Sequence, residues 1–273
     1  MKIRKKHPIL DRVKIIIFLL ILLLCLGRLA FYIEEKSSKI KEATIEQLLE
    51  TALQPVGSTM YIWGGGWDEE DEMAGATSTY MGLYQEWERF AKEQNETYDY
   101  NNYRFQREKG LDCSGYVGWV IYNTFETVSG GDGYVTTSTD MAKNYADRGW
   151  GTYIENPTEF FPGDVVSMDG HVWICLGTCA DGSVVLVHSS PPGVSVCGTM
   201  LEDGTDSMAV KIATEYMLKY HPQWQEKYPK RSVPHEYLEK VSILRWNAMT
   251  MLDAKEWQVL SAEEIFLTYL YRK

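Results

Sequence analysis

Leu111-Asp-Cys-Ser-Gly-Tyr-Val-Gly-Trp-Val-Ile-Tyr-Asn-Thr-Phe125 is the stretch on which the reading of this 273-residue chain turns. Tyr116, Val117, Val120 and Ile121 recur at helical spacing, so the segment predicts a helix with one strongly apolar face. Cys113 stands at its start, beside a glycine and a serine. Unpaired amides at a helix N-terminus carry a partial positive charge that favours thiolate over thiol. That placement makes Cys113 a candidate nucleophile.

Downstream the pattern changes after Pro162-Gly163-Asp164. Val165–Met168, His171–Leu176, Val184–His188 and Val194–Cys197 are short β-branched or aromatic runs parted by turn residues, which predicts an antiparallel meander. Further elements are expected as a short helix at Asp140–Arg148, a helix at Met208–Tyr220, a strand at Val241–Asn247 and a last helix at Ala262–Leu270. Upstream, Ile45, Leu48, Leu49, Ala52 and Leu53 mark a helix within residues 34–53 that ends at Pro55 and Gly57. Residues 68–110 are acidic and tyrosine-rich and read as an insertion, with a helix near Tyr80–Phe90. Helices followed by a small antiparallel sheet define an α+β class.

The N-terminus reads differently. Residues 1–30 hold seven lysines and arginines against the single Asp11, so in a chain of net charge −11 the remainder carries −17. A body that acidic does not track nucleic-acid phosphates, and no nucleic-acid partner is expected. Ile15–Gly27 is an unbroken apolar run, extended past Arg28 to Ile33, close to the ~20 residues of a membrane-crossing helix. Basic residues before it predict an uncleaved single-pass anchor with the body outside the membrane. A cleaved signal peptide is the competing reading, although no small-residue pair marks a cleavage site. The expected organisation is a basic cytoplasmic segment 1–14, an anchor 15–33, a linker 34–44, a catalytic domain 45–248 and a helical tail 249–273.

Export frames the cysteines. Cys25 lies in the apolar run, leaving Cys113, Cys175, Cys179 and Cys197 in the body. Cys179 and Cys197 are candidate disulfide partners. A nucleophilic cysteine needs a base and a group to orient that base. His171 opens one strand of the meander and His188 closes the next, positions that a hairpin brings side by side. Residue types alone leave three readings open: a catalytic set, packing residues, or a Cys/His/His zinc site.

Taken in order, Tyr61-Ile-Trp-Gly-Gly, Asp112-Cys-Ser-Gly, Pro162-Gly-Asp-Val, His171-Val-Trp-Ile-Cys-Leu-Gly and Val187-His-Ser-Ser resemble the NlpC-type cell-wall cysteine peptidases. The resemblance covers roughly residues 45–200 and the strand at 241–247. It implies a papain-like fold of N-terminal helices packed on a small antiparallel sheet, with Cys113 as nucleophile, His171 as general base and acid, and His188 as its orienter. It further implies that Tyr61 lines the site near the oxyanion and that Asp112 and Ser114 hold the amino-terminal end of the substrate. Trp63 and Trp173 are candidates for stacking on it.

Such enzymes cut amide bonds in peptidoglycan stem peptides, often between D-glutamate and the following diamino acid. No metal or cofactor is expected, and a monomer is. An N-acetylmuramoyl amidase, a cross-bridge peptidase and a non-catalytic wall-binding regulator are the alternatives. Departures from the family pattern are the 43 residues at 68–110, Trp173 where a small residue is common, and the long C-terminus.

Overall fold

The structure, a computed structural model, describes residues 21–22, 27–28, 43–70, 72–125 and 129–271. The chain divides into two compact units, Met1–Lys41 and Glu42–Lys273. Of the first, only Ile21, Leu22, Gly27 and Arg28 are described, all helical. The second holds every strand and the helices numbered below.

Helix α1 (Ile45–Leu53) is capped by Thr44, whose hydroxyl accepts from the Gln47 N–H. Strand β1 (Met60–Tyr61) comes next, then α2 (Gln85–Glu93), β2 (Gly110–Leu111) and α3 (Cys113–Phe125). After α3 come α4 (Met141–Asp147), β3 (Gly151–Glu155), β4 (Val165–Met168), β5 (His171–Thr178), β6 (Val184–Ser190) and β7 (Gly193–Thr199). The chain finishes with α5 (Met208–Tyr220), α6 (Pro222–Lys227), β8 (Ser232–Val233), β9 (Ser242–Trp246) and α7 (Ala262–Tyr271).

All nine described strands form one curled sheet in the order β2-β1-β7-β6-β5-β4-β9-β3, with β8 also paired to β7. The β4–β7 meander is antiparallel, while β1 with β2 and β7 with β8 are parallel. The expected α+β, papain-like arrangement on a small antiparallel sheet is therefore corrected to a mixed α/β one with a larger, curled, mixed sheet. Its extra strands are mostly two-residue segments whose pairing partners lie far away in sequence, so no local alternation marks them.

Side chains alternate across the sheet and build two cores. Val172, Ile174 and Leu176 of β5 face the main core with α1, α3 and α5. Trp173 and Cys175 face a second core with Phe160, Val166, Leu186 and Val233. Nearly every residue of α3 is buried, as expected of a helix that is apolar all round. At the start of β4, Asp164 of the Pro-Gly-Asp motif is wholly buried and receives Arg245 through two nitrogens, at 3.2 and 2.8 Å. That motif ties β9 to the β4 entrance.

The transmembrane helix expected ahead of the body, and the single-pass membrane placement built on it, are also corrected. No helix among the described residues is long and apolar enough to cross a membrane. The longest in the body have 13 residues, or roughly 20 Å of rise against a ~30 Å hydrocarbon layer. The basic segment 1–14, Cys25 and most of the span 15–33 and linker 34–44 lie outside the described residues.

Candidate active site

Cys113 is the first residue of α3, and the turn before the helix holds it there. Asp112 caps the helix: its Oδ1 accepts from the Gly115 N–H at 2.7 Å and from the Ser114 hydroxyl at 2.9 Å. Its Oδ2 accepts from the Gly64 N–H at 3.2 Å, and the Trp67 indole donates to Ser114 Oγ at 3.0 Å. Asp112 and Ser114 are both buried. They thus join the Trp-Gly-Gly loop to the helix start. Burial outweighs these donors and pushes the Asp112 carboxyl up to about 6.

Around the sulfur of Cys113, the Val172 N–H, the Ser114 N–H and the Ser138 hydroxyl favour its thiolate. Burial, reinforced by the Asp112 charge, opposes them and wins, pushing the thiol up to about 12. The expectation that a helix start lowers this pKa is overturned, because only 7% of the residue is exposed and a buried anion loses its solvation.

His171 immediately precedes Val172 on β5. Its Nε2 lies 3.0 Å from Nδ1 of His188, across the β5–β6 hairpin. Burial lowers His171 to about 4 and His188 well below its usual range, the latter aided by His171 and by the Arg231 charge. Both rings are therefore neutral near pH 7. Within the pair one nitrogen donates and the other accepts. With His188 accepting at Nδ1, His171 carries its proton on Nε2 and presents Nδ1 as the basic lone pair. Tyr237 stands edge-on to both rings, at 5.6 and 6.0 Å between centroids.

Tyr61 is also brought to this place. Its hydroxyl is pushed up by burial and by the charges of Cys113 and Asp112, and its ring meets Tyr100 edge-on at 5.2 Å. Tyr100 belongs to the 68–110 segment, which is built into the fold: Trp87 of α2 packs on Trp119 of α3, and the Tyr98 hydroxyl donates to the Tyr61 carbonyl. Trp63 is 45% exposed, with the Arg104 guanidinium 5.0 Å from its ring. Trp173 is not in the site. It is fully buried in the second core, stacked on Phe160 at 5.8 Å.

The expected Cys179–Cys197 disulfide is absent: both thiols are free, as are Cys113 and Cys175, and the two sit in different cores. Among the described residues no group of three or more His, Cys, Asp or Glu is arranged to hold a metal ion. Ser138, Tyr237 and Arg231 have no signal in the sequence, since Ser138 and Tyr237 lie in single short 3₁₀ turns and Arg231 just ahead of the two-residue β8. Comparison with known proteins finds no matching family model, no matching curated protein and no matching solved structure.

Proposed function

We propose that this chain is a cysteine peptidase of the NlpC type, hydrolysing amide bonds in the stem peptides of peptidoglycan, with cleavage after D-glutamate as the favoured bond. What supports the reading is a cysteine at a helix start whose thiol feels Val172 of β5, the residue next to His171, together with the pairing of the His171 ring with His188 through its Nε2. This is the nucleophile, base and orienter that acyl transfer requires.

The chemistry runs from a neutral thiol and a neutral imidazole. As Cys113 Sγ attacks the carbonyl carbon, its proton passes to Nδ1 of His171. The imidazolium so formed is stabilised through Nε2–H by His188. The first amides of a helix lack partners within it, and the Cys113 N–H is one of those able to receive the developing oxyanion. His171 then protonates the leaving amine, the C–N bond breaks, and the acyl group stays on sulfur. Water, deprotonated by His171, releases it and restores the thiol.

The test is digestion of purified peptidoglycan followed by mass spectrometry of the fragments. Wild type is expected to release fragments ending in D-glutamate, whereas Cys113→Ala releases none and keeps its melting temperature. Equal release by the two proteins ends the enzyme reading, and fragments with other termini move the assignment to an amidase or cross-bridge peptidase.

A further inference from the structure

Next to His188 lies a cavity of about 470 Å³ whose lining includes Tyr237, Lys227, Lys230 and Arg231. Its volume suits a small polar group and the chain attached to it. Arg231 is only 3% exposed. One of its nitrogens, Nη2, donates to the Tyr228 carbonyl, while Nε and Nη1 are buried without a protein acceptor. A buried guanidinium with open donors is costly to maintain, because desolvating a charge is repaid only by a counter-charge and hydrogen bonds. Three cations border this space against the single carboxylate of Glu96, which is exposed. The rest of the body is strongly acidic, so the cluster stands out in sign as well as in burial. The cavity also opens directly on His188, whose titration feels the Arg231 charge.

We propose that this cavity is a carboxylate subsite, in which Arg231 receives an acidic group of the peptide lying next to the amide that His171 faces. The proposal rests on the peptidase reading and deepens it by naming what is recognised. Glutamate has two carboxyl groups. When one is tied up in the scissile amide, the other is free, within one residue of the bond. Arg231, assisted by Lys230 at the rim, is then the residue that selects a free carboxylate over its amide. Lys227 is partly engaged, since it donates to the Gln94 carbonyl at 2.8 Å.

The experiment uses two synthetic stem peptides, identical except that the free carboxylate of D-glutamate is a carboxamide in the second. Cleavage by wild type is followed by chromatography, and binding to Cys113→Ala protein by calorimetry. Wild type is expected to favour the carboxylate peptide by about ten- to a hundredfold in kcat/KM, the range of a hydrogen bond to a charged group. Binding should show a similar preference. Arg231→Gln compresses the ratio toward one, and Lys230→Gln, on the exposed rim, lowers it by a smaller factor.

Cleavage of both peptides at equal rates overturns the subsite and leaves the peptidase standing. Discriminating binding without any cleavage overturns the peptidase and leaves the subsite. Neither binding nor cleavage overturns both. The wild-type ratio needs no variant, so a folding defect in Arg231→Gln does not shelter the proposal.

Discussion

Asp112→Asn is the most instructive single change, because two consequences of opposite sign arise from one atom. The carboxylate accepts from Gly115 N–H and Ser114 Oγ on one oxygen and from Gly64 N–H on the other. Asparagine keeps one oxygen for the helix cap and turns an amide NH₂ toward Gly64, setting donor against donor. A lost hydrogen bond to a charged group is worth about 1.5–3 kcal/mol, partly offset because a neutral amide costs less to bury than a carboxylate. A net loss of about 2 kcal/mol is expected, or about 4–8 °C in Tm for a body of this size. The thiol moves the other way. After burial, the Asp112 charge is the largest influence holding Cys113 in its protonated form. Even at its most screened, as in bulk water, a like charge about 4 Å away is worth on the order of 1 kcal/mol. Removing it raises the thiolate population about fivefold at any pH below the thiol pKa.

The measurement is alkylation by iodoacetamide at several pH values between 7 and 10, with modification at each cysteine read by mass spectrometry. Buried Cys175 and Cys197 report any general loosening. The expected result is a less stable protein whose Cys113 reacts several-fold faster while Cys175 and Cys197 stay protected. Alkylation at the wild-type rate or slower in a folded variant would refute the electrostatic reasoning.

The same contacts make three further outcomes measurable. Replacing His188 by Asn keeps an acceptor opposite His171 Nε2 and should retain measurable cleavage, whereas His188→Leu removes it and should lower kcat by about 10²–10⁴-fold; similar rates for the two variants would sink the orienting role. The lowered histidine pair gives a pH slope with a definite sign. Between about 4 and 6.5 the unfolded chain binds protons that folded His171 and His188 refuse, so stability is full above that window and falls as pH drops through it. Urea midpoints across that range should show the decline, and a variant with His171→Gln should show a shallower one. Gly115→Ala, normally favourable inside a helix, should destabilise by about 3 kcal/mol, because its Cβ would lie 2.0 Å from the Gly65 carbonyl oxygen; an unchanged urea midpoint would contradict the contact.

How far the sequence reveals the molecule depends on where each signal resides. The meander shows in the sequence because Val165–Met168, His171–Thr178 and Val184–Ser190 carry their β-branched pattern locally and are bounded by turns. The same locality exposes α3 and the pairing of His171 with His188. Strands β1, β2 and β8 are two residues each and exist only because a distant partner hydrogen-bonds them, so neither their presence nor the parallel pairings show. Trp173 illustrates a further limit. It has the same parity as His171 on β5, but the second core claims it a single step further along. The protonation of the thiol escapes the sequence for a related reason: a helix start is visible there, whereas the burial that outweighs it is a property of the whole packing. Arg231 and Tyr237 enter from the Pro-punctuated stretch 221–238, where no periodicity announces a role.

The near-contact of Gly115 with Gly65 and Gly66 carries one last implication. Its Cβ position leaves no room before Gly65 O at 2.0 Å and Gly66 Cα at 2.9 Å, so two stretches of main chain some fifty residues apart in sequence touch without side chains between them. The excursion that leaves after Trp67 comes back at Gly110, beside its own point of departure. Such a closed joint works as a mounting bracket: whatever is hung from it can lengthen, shorten or change its aromatic lining while the sulfur stays fixed. Change in the segment hung from that joint is thereby uncoupled from the placement of Cys113.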